Sequence, residues 1–202
     1  MTDYIMVSDL THTSRGIYAT NLAPYPIACI KSYFLHYSKH AKNFNFEIFK
    51  DPKLFVDSFL KHKPKVIGFS NYIWNSDLAY EFTKKIKKIN PDTFIIFGGP
   101  NFPLGDESRK KWLESHPEVD VYVVGEGEES FIELLAKIDS PDKEKLDGFW
   151  FKCKDGLIKN PSRPLLMGDK LTHYPYPDIS ESIYYVDRHT LCKLNKEVYL
   201  AK

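Results

Sequence analysis

The chain has 202 residues, of which 43% are hydrophobic and 27% charged; this is the composition of a folded globular protein and excludes a disordered tail or a small disulfide scaffold. Lys and Arg number 28 against 27 Asp and Glu, a net charge of +1, so no whole-protein field draws in nucleic acid or an anionic membrane. Cys29, Cys153 and Cys192 lie too far apart to read as a metal pair or a disulfide framework, and the short apolar run before Asp9 reads as neither an export signal nor a membrane anchor, so a cytoplasmic protein is expected.

Residues 4–8 predict a first strand, and the hydroxyl-rich stretch from Asp9 to Gly16 predicts the loop after it. From Pro24 onward Ile27, Ile30, Phe34 and Tyr37 recur three and four apart, one face of a helix reaching about residue 40. Phe44, Phe46 and Ile48 alternate with Asn45 and Glu47, a strand pattern. Asp51 and Pro52 open a short helix that faces Phe55 and Phe59 inward and ends near Pro64, and residues 66–70 form a buried strand. Asn75 or Ser76 caps the next helix, whose stripe is Leu78, Phe82, Ile86 and Ile89, with Lys84, Lys85, Lys87 and Lys88 outside. Residues 93–97 are a further buried strand that stops at Gly98, and residues 106–115 are helical. A fifth strand over 119–124 leads into a fifth helix marked by Phe131, Leu134, Leu135 and Ile138.

Apolar strands separated by amphipathic helices predict a parallel sheet covered on both faces, with right-handed crossovers. Residues 1–138 are therefore expected to form an α/β, Rossmann-like or flavodoxin-like three-layer sandwich on a five-stranded parallel sheet. Residues 149–153 and 157–159, turning at Asp155 and Gly156, predict an antiparallel hairpin within an extension over 139–165 that lengthens or caps the sheet. Residues 160–189, with Pro161, Pro164, Pro175 and Pro177, suit an extended connector, and 166–202 read as a linker into a further domain. Residues 197–200 are strand-like with nothing after them to pair with, as in the N-terminal fragment of a longer protein.

In an open parallel sheet, ligands bind at the carboxyl ends of the strands where strand order reverses. The loop of Ser70, Asn71, Tyr72, Ile73, Trp74 and Asn75 offers hydrogen-bonding groups and wide aromatic faces suited to a large flat ligand. Gly98, Gly99 and Pro100 let backbone approach a ligand, and Gly125, Glu126, Gly127 and Glu128 repeat the device beside two carboxylates. Each cluster has a plain structural alternative: turn chemistry for the glycines, core packing for Tyr72 and Trp74, and support of the fifth helix's N-terminus for Glu126 and Glu128. Three such clusters at equivalent strand ends favour the ligand.

The runs 66–75, 97–100 and 123–131, in this order and spacing, resemble the N-terminal cobalamin-binding domain of B12-dependent radical SAM enzymes, over about residues 1–138. The hairpin, the Pro175-Tyr176-Pro177-Asp178 segment and the final strand resemble that family's link into its catalytic barrel. The resemblance implies cobalamin over the sheet's C-terminal edge, its nucleotide tail beside the strands and its lower corrin face against the loop after strand three. It assigns Ser70, Asn71, Tyr72, Trp74 and Asn75 to the corrin face, and Gly98, Gly99 and Pro100 to the tail, with Gly125, Glu126, Gly127 and Glu128 beside it. Ser8, Asp9 and Leu10 of the first loop are carried over as well. It also implies a [4Fe-4S] cluster and S-adenosylmethionine, both in a radical SAM domain beyond this chain, for methyl transfer or another radical reaction.

The sequence departs from the pattern twice. Cobalamin domains that ligate cobalt through histidine carry Asp-x-His-x-x-Gly, whereas here Asp9, His12 and Gly16 have one extra residue in each gap, so base-off binding is expected in preference to His12 as axial ligand. The cluster motif Cys-x-x-x-Cys-x-x-Cys is absent, so this chain cannot by itself cleave S-adenosylmethionine. His36 and His40, four apart on one helix, lack an evident third ligand and read as surface histidines. Neither Gly-x-Gly-x-x-Gly after the first strand nor Gly-x-x-x-x-Gly-Lys occurs, so dinucleotide and P-loop chemistry lack their phosphate cradles. The main rival is a flavodoxin-like FMN electron carrier, with Thr11, Thr13 and Ser14 on the phosphate. A receiver domain would need an aspartate where Ser70 stands.

Overall fold

The computed structural model describes residues 3–14, 17–18, 23–153 and 156–177. Its strands are β1 (Asp3–Ser8), β2 (Phe44–Phe49), β3 (Val66–Ser70), β4 (Phe94–Gly98), β5 (Val121–Val123), β6 (Phe149–Cys153) and β7 (Gly156–Lys159). Between them run α1 (Tyr25–Tyr37), α2 (Pro52–His62), α3 (Ser76–Ile89), α4 (Asp106–Ser115) and α5 (Glu128–Ala136), and one helical turn, α6 (Asp169–Thr172), follows β7. A two-residue ribbon also pairs Thr13–Ser14 with Ile17–Tyr18.

The seven main strands form one sheet in the order β2-β1-β3-β4-β5-β6-β7. The first five are parallel, in the flavodoxin-like order, and β6 and β7 are antiparallel. The five-stranded parallel sheet expected from the sequence is thus the α/β core, and the hairpin expected to lengthen or cap it brings the sheet to seven strands. The hairpin lengthens it because Val123 pairs with Phe149 and Val121 with Phe151, which continues the buried pattern of β5.

Alternation along each strand sends side chains to two separate cores. Ile5, Val7, Ile96, Val121, Phe149 and Phe151 face Ile27, Phe34, Phe131 and Leu134 of α1 and α5. Met6, Ile67, Phe69, Ile95, Phe97 and Tyr122 face Phe55, Phe59, Ala79, Ile86 and Leu113 of α2, α3 and α4. At about 1.5–3 kcal/mol for each large apolar side chain buried, these two layers dominate the stabilisation of the fold.

Local chemistry sets the helix ends. Asp51 caps α2 by accepting from the Leu54 amide at 2.9 Å, with Pro52 in the first turn. α1 ends at Tyr37, earlier than the periodicity suggests, because Ser38 is extended and residues 41–43 form a separate 3-10 turn that delivers the chain to β2. Of the predicted connector, the described part, residues 160–177, runs back over α1 and α5. The remainder of the linker, the strand expected at 197–200 and Cys192 lie outside the described residues. Among the described residues no helix is long and apolar enough to cross a membrane.

Candidate functional site

β1 lies between β2 and β3, so the chain leaves β1 toward one edge of the sheet and leaves β3 toward the other. The loops after these two strands part at their carboxyl ends and open a crevice there. Ser8 and Ser70 close the two strands at this point.

Asp9, just past β1, organises the loop after β3. Its Oδ1 accepts from Ser70 Oγ at 2.8 Å and from Asn75 Nδ2 at 2.8 Å, while Asn75 Oδ1 accepts from the Tyr72 amide at 2.8 Å. Asn75 stands at the N-cap of α3, but its side chain makes no bond to that helix; it is turned inward to hold the loop instead. Burial raises the Asp9 carboxyl above its ordinary value, against the lowering effects of the Ser70 bond, the charge of Lys50 and the Asn75 bond. Lys50, at the end of β2, is 1% exposed, and burial pushes its ammonium below its ordinary value while the Asp9 charge acts the other way.

Fixed in this way, the loop turns aromatic surface outward. The rings of Tyr72 and Trp74 stack with centroids 4.6 Å apart and 7° between planes, and Trp74 is 57% exposed beside Ile73 at 82%. Large apolar side chains held in water at a strand end form a platform for a flat partner.

The neighbouring loop is clamped from below. Asn71 is wholly buried and its amide Nδ2 donates to Tyr122 Oη at 3.1 Å, while Tyr122 Oη donates to the Gly99 carbonyl at 2.9 Å. The Asn71 amide donates to the Gly98 carbonyl at 2.6 Å, and the Asn101 amide donates to the Asn71 carbonyl at 3.1 Å. Gly99 has φ +115°, and a Cβ there would lie 2.8 Å from the Asn71 carbonyl oxygen, so glycine is required for this close crossing.

On the α1 and α5 side the crevice deepens into a cavity of about 300 Å³. Val7, Gly68, Ile96, Gly98 and Val123 line it from the sheet, Ile27, Cys29, Ile30 and Phe131 from the helices, and Ser70, Tyr72, Gly99 and residues 125–128 around the mouth. The carboxylates at the mouth are engaged by the segment after the hairpin. Glu126 Oε2 accepts from the Leu166 amide at 2.6 Å and Glu128 Oε1 from Tyr174 Oη at 2.7 Å. Glu129 pairs with Lys170, and Arg163 pairs with Glu133. Burial, and then the Glu128 carboxylate, raise the Tyr174 phenol.

The structure therefore brings the predicted residues to one edge but divides their surroundings. Tyr72, Trp74, Gly98, Gly99, Pro100, Gly125, Glu126, Gly127 and Glu128 border the crevice or the cavity mouth. Ser8, Leu10, Asn71 and Asn75 are buried beneath it, Leu10 in the core of α2 and α3. His12 is exposed on the loop after β1. Among the described residues no group of three His, Cys, Asp or Glu side chains is placed to hold a metal. Sequence reasoning missed Lys50, Gly68, Cys29 and Tyr122. Gly68, a glycine inside an otherwise apolar strand, was the visible signal among them.

Comparison with known proteins bears on this edge. Residues 23–135 match the family model described as the B12 binding domain. The chain is 28% identical over 155 residues to the cobalamin-dependent radical SAM methyltransferase TokK of Streptomyces tokunonensis, covering 71% of this chain and 22% of that enzyme. It is 28% identical over 156 residues to the 2-(S-pantetheinyl)-carbapenam-3-carboxylate methyltransferase of Streptantibioticus cattleyicolor, covering 74% and 22%. In fold it is similar to the cobalamin-dependent S-adenosylmethionine radical enzyme OxsB, solved with aqua-cobalamin and S-adenosylmethionine bound, at TM-score 0.61 and 18% identity over 92% of this chain and 25% of that one. The chain thus spans about a quarter or less of the length of these relatives.

Proposed function

The chain belongs to the B12-binding domain family, and from that membership we propose that it holds cobalamin at the carboxyl edge of its sheet for a radical SAM catalytic domain. The observation that carries the reading is one crevice that joins an exposed stacked aromatic pair, Tyr72 and Trp74, to an apolar cavity floored by glycines. This suits an amphipathic macrocycle with an aromatic tail: the platform takes the ring face, and the cavity, lined by Gly68 and Gly98 with no side chain on either, admits the tail. The flavodoxin-like FMN alternative is not supported by the comparisons.

Bound cobalamin supplies a cobalt centre that carries a methyl group or takes part in another radical reaction. The protein's own work is binding and orientation. Asp9 and Asn75 hold the loop, Tyr72 and Trp74 would take the corrin face, and Gly98, Gly99 and Pro100 would make room for the tail. Gly125, Glu126, Gly127 and Glu128 frame the mouth, and the two carboxylates there also tie down residues 166 and 174. His12, exposed on the loop after β1, would not be needed to hold the cofactor. The complete protein is proposed to be a methyltransferase-like radical SAM enzyme, with its [4Fe-4S] cluster and S-adenosylmethionine held in a downstream domain. The named activities of TokK and of the carbapenam methyltransferase support this. A cytoplasmic location is proposed with it, in accord with cysteines too widely spaced in sequence for a disulfide framework.

The test is to mix the chain with hydroxocobalamin, desalt, and record the visible spectrum and stoichiometry. Retention near one per chain is expected, with a spectrum free of histidine ligation. Gly98→Leu should abolish retention with the fold intact, since a Cβ at Gly98 meets only Val123 at 3.6 Å while the rest of the side chain enters the cavity. Wild-type protein that retains no cobalamin would overturn the proposal.

A further inference from the structure

The cavity changes character with depth. Ser70, Tyr72, Glu126 and Glu128 stand at or beyond the strand ends, whereas Val7, Gly68 and Ile96 lie within β1, β3 and β4, below them. With Ile27 and Phe131 these make a floor of hydrocarbon, and Val123, level with Gly98 and Ser70, stands nearer the mouth. Three of the polar side chains nearer the mouth have partners already. Ser70 Oγ donates to Asp9, Glu126 accepts from the Leu166 amide, and Glu128 accepts from Tyr174. The Cys29 thiol is hydrogen-bonded by Tyr174 and Tyr25, and burial raises it above its ordinary value.

Two glycines create the depth. Gly68 interrupts a fully buried strand, and a Cβ there would come 3.3 Å from Val7 Cγ2. Gly98 follows on the adjacent strand, where Ser70 pairs with it, and opens the same face. Glycine inside a strand weakens it and leaves a place for a ligand to approach the backbone. At about 300 Å³ the cavity accepts a bicyclic base and not a corrin ring.

We infer that this floor selects among corrinoids by the polarity of the lower base, taking a methylated benzimidazole in preference to a purine; the inference rests on the cobalamin reading above. A dimethylated benzimidazole meets hydrocarbon with hydrocarbon. The exocyclic amine and extra ring nitrogens of adenine would leave water at the floor and find no side-chain donor or acceptor there, which is costly. Apolar pockets reject an added polar group by a limited factor, so the expected discrimination is about 10- to 100-fold.

The experiment measures equilibrium binding of the full chain, by visible absorption, to three corrinoids. These are cobalamin, the cobamide with adenine as its lower base, and cobinamide, which lacks the tail. Cobalamin should bind about 10- to 100-fold tighter than the adenine cobamide, and cobinamide more weakly than cobalamin. Val7→Thr keeps the side chain's shape and puts a hydroxyl on the floor, so it should narrow the ratio several-fold, with a lower but still cooperative thermal melt. Equal affinity for the two cobamides, a preference for adenine, or an unchanged ratio in folded Val7→Thr would overturn the inference while leaving cobalamin binding in place. Failure of all three corrinoids to bind wild type would remove the cobalamin reading, and this inference with it.

Discussion

Asn75 shows how a residue can occupy one role's position while performing another. A residue preceding α3 ordinarily bonds the first free amides of the helix, a contact worth about 1 kcal/mol. Here the amide group bridges the Asp9 carboxylate and the Tyr72 backbone, so two loops that part at the strand ends are held in one arrangement. The acid at the centre of this bridge has a defined pH signature. Burial raises Asp9, so the folded state holds its proton longer than the unfolded chain does. Its contribution to stability is then complete below the ordinary carboxylate range and is lost as pH rises through the folded pKa. Asp9→Asn keeps an acceptor for Ser70 and Asn75 but does not titrate. In urea unfolding, the stability of wild type relative to D9N should fall as pH rises from about 4 and then level off. A difference that grows over that range would mean that Lys50 and the two hydrogen bonds outweigh burial.

At the scale of elements, the segment after the hairpin is a strap whose anchors sit on α5. Glu128, Glu129 and Glu133 bind Tyr174, Lys170 and Arg163, and Tyr37 Oη donates to the His173 carbonyl at 2.8 Å, so α1 and α5 are tied together from outside. The sequence suggested that Glu128 either supports the helix N-terminus or contacts a ligand. It does stand in the first turn of α5, and its carboxylate also secures the strap. Because Tyr174 also packs over Cys29, the strap has a chemical reporter. Tyr174→Phe removes a hydrogen bond to a charged group and should cost about 1–2 kcal/mol locally. Alkylation of Cys29, mapped by peptide mass, should speed up several-fold with little change in the global melt. An unchanged rate would show that the strap stays closed without that bond.

Over the whole molecule, the boundary suggested by composition and the one suggested by packing differ. Periodicity changes near residue 138, yet Phe149 and Phe151 are buried in the layer under α1 and α5, and Trp150 in the layer opposite. We therefore expect the folding unit to include β6 and β7. A chain ending at residue 138 should expose β5 as an edge and fail to show a cooperative melt, whereas one ending at 177 should melt cooperatively. Cooperative folding of the shorter chain would place the boundary where composition changes.

The sequence alone determined the strand and helix order, the parallel core and the loops that border the crevice, because periods of two and 3.6 residues record which face of an element is buried. Runs such as Val66 to Ser70 and the glycines at 98, 99, 125 and 127 were legible for that local reason. Only the tertiary structure decided which side chains face the crevice. Asn71 turns inward to Tyr122 and Asn75 to Asp9, partners far away in sequence whose approach depends on the strand order of the assembled sheet. The cavity behind Gly68 and the buried charge of Lys50 likewise exist only once α1, α5 and β2 have packed against β1, since local periodicity carries no record of what lies across a crevice.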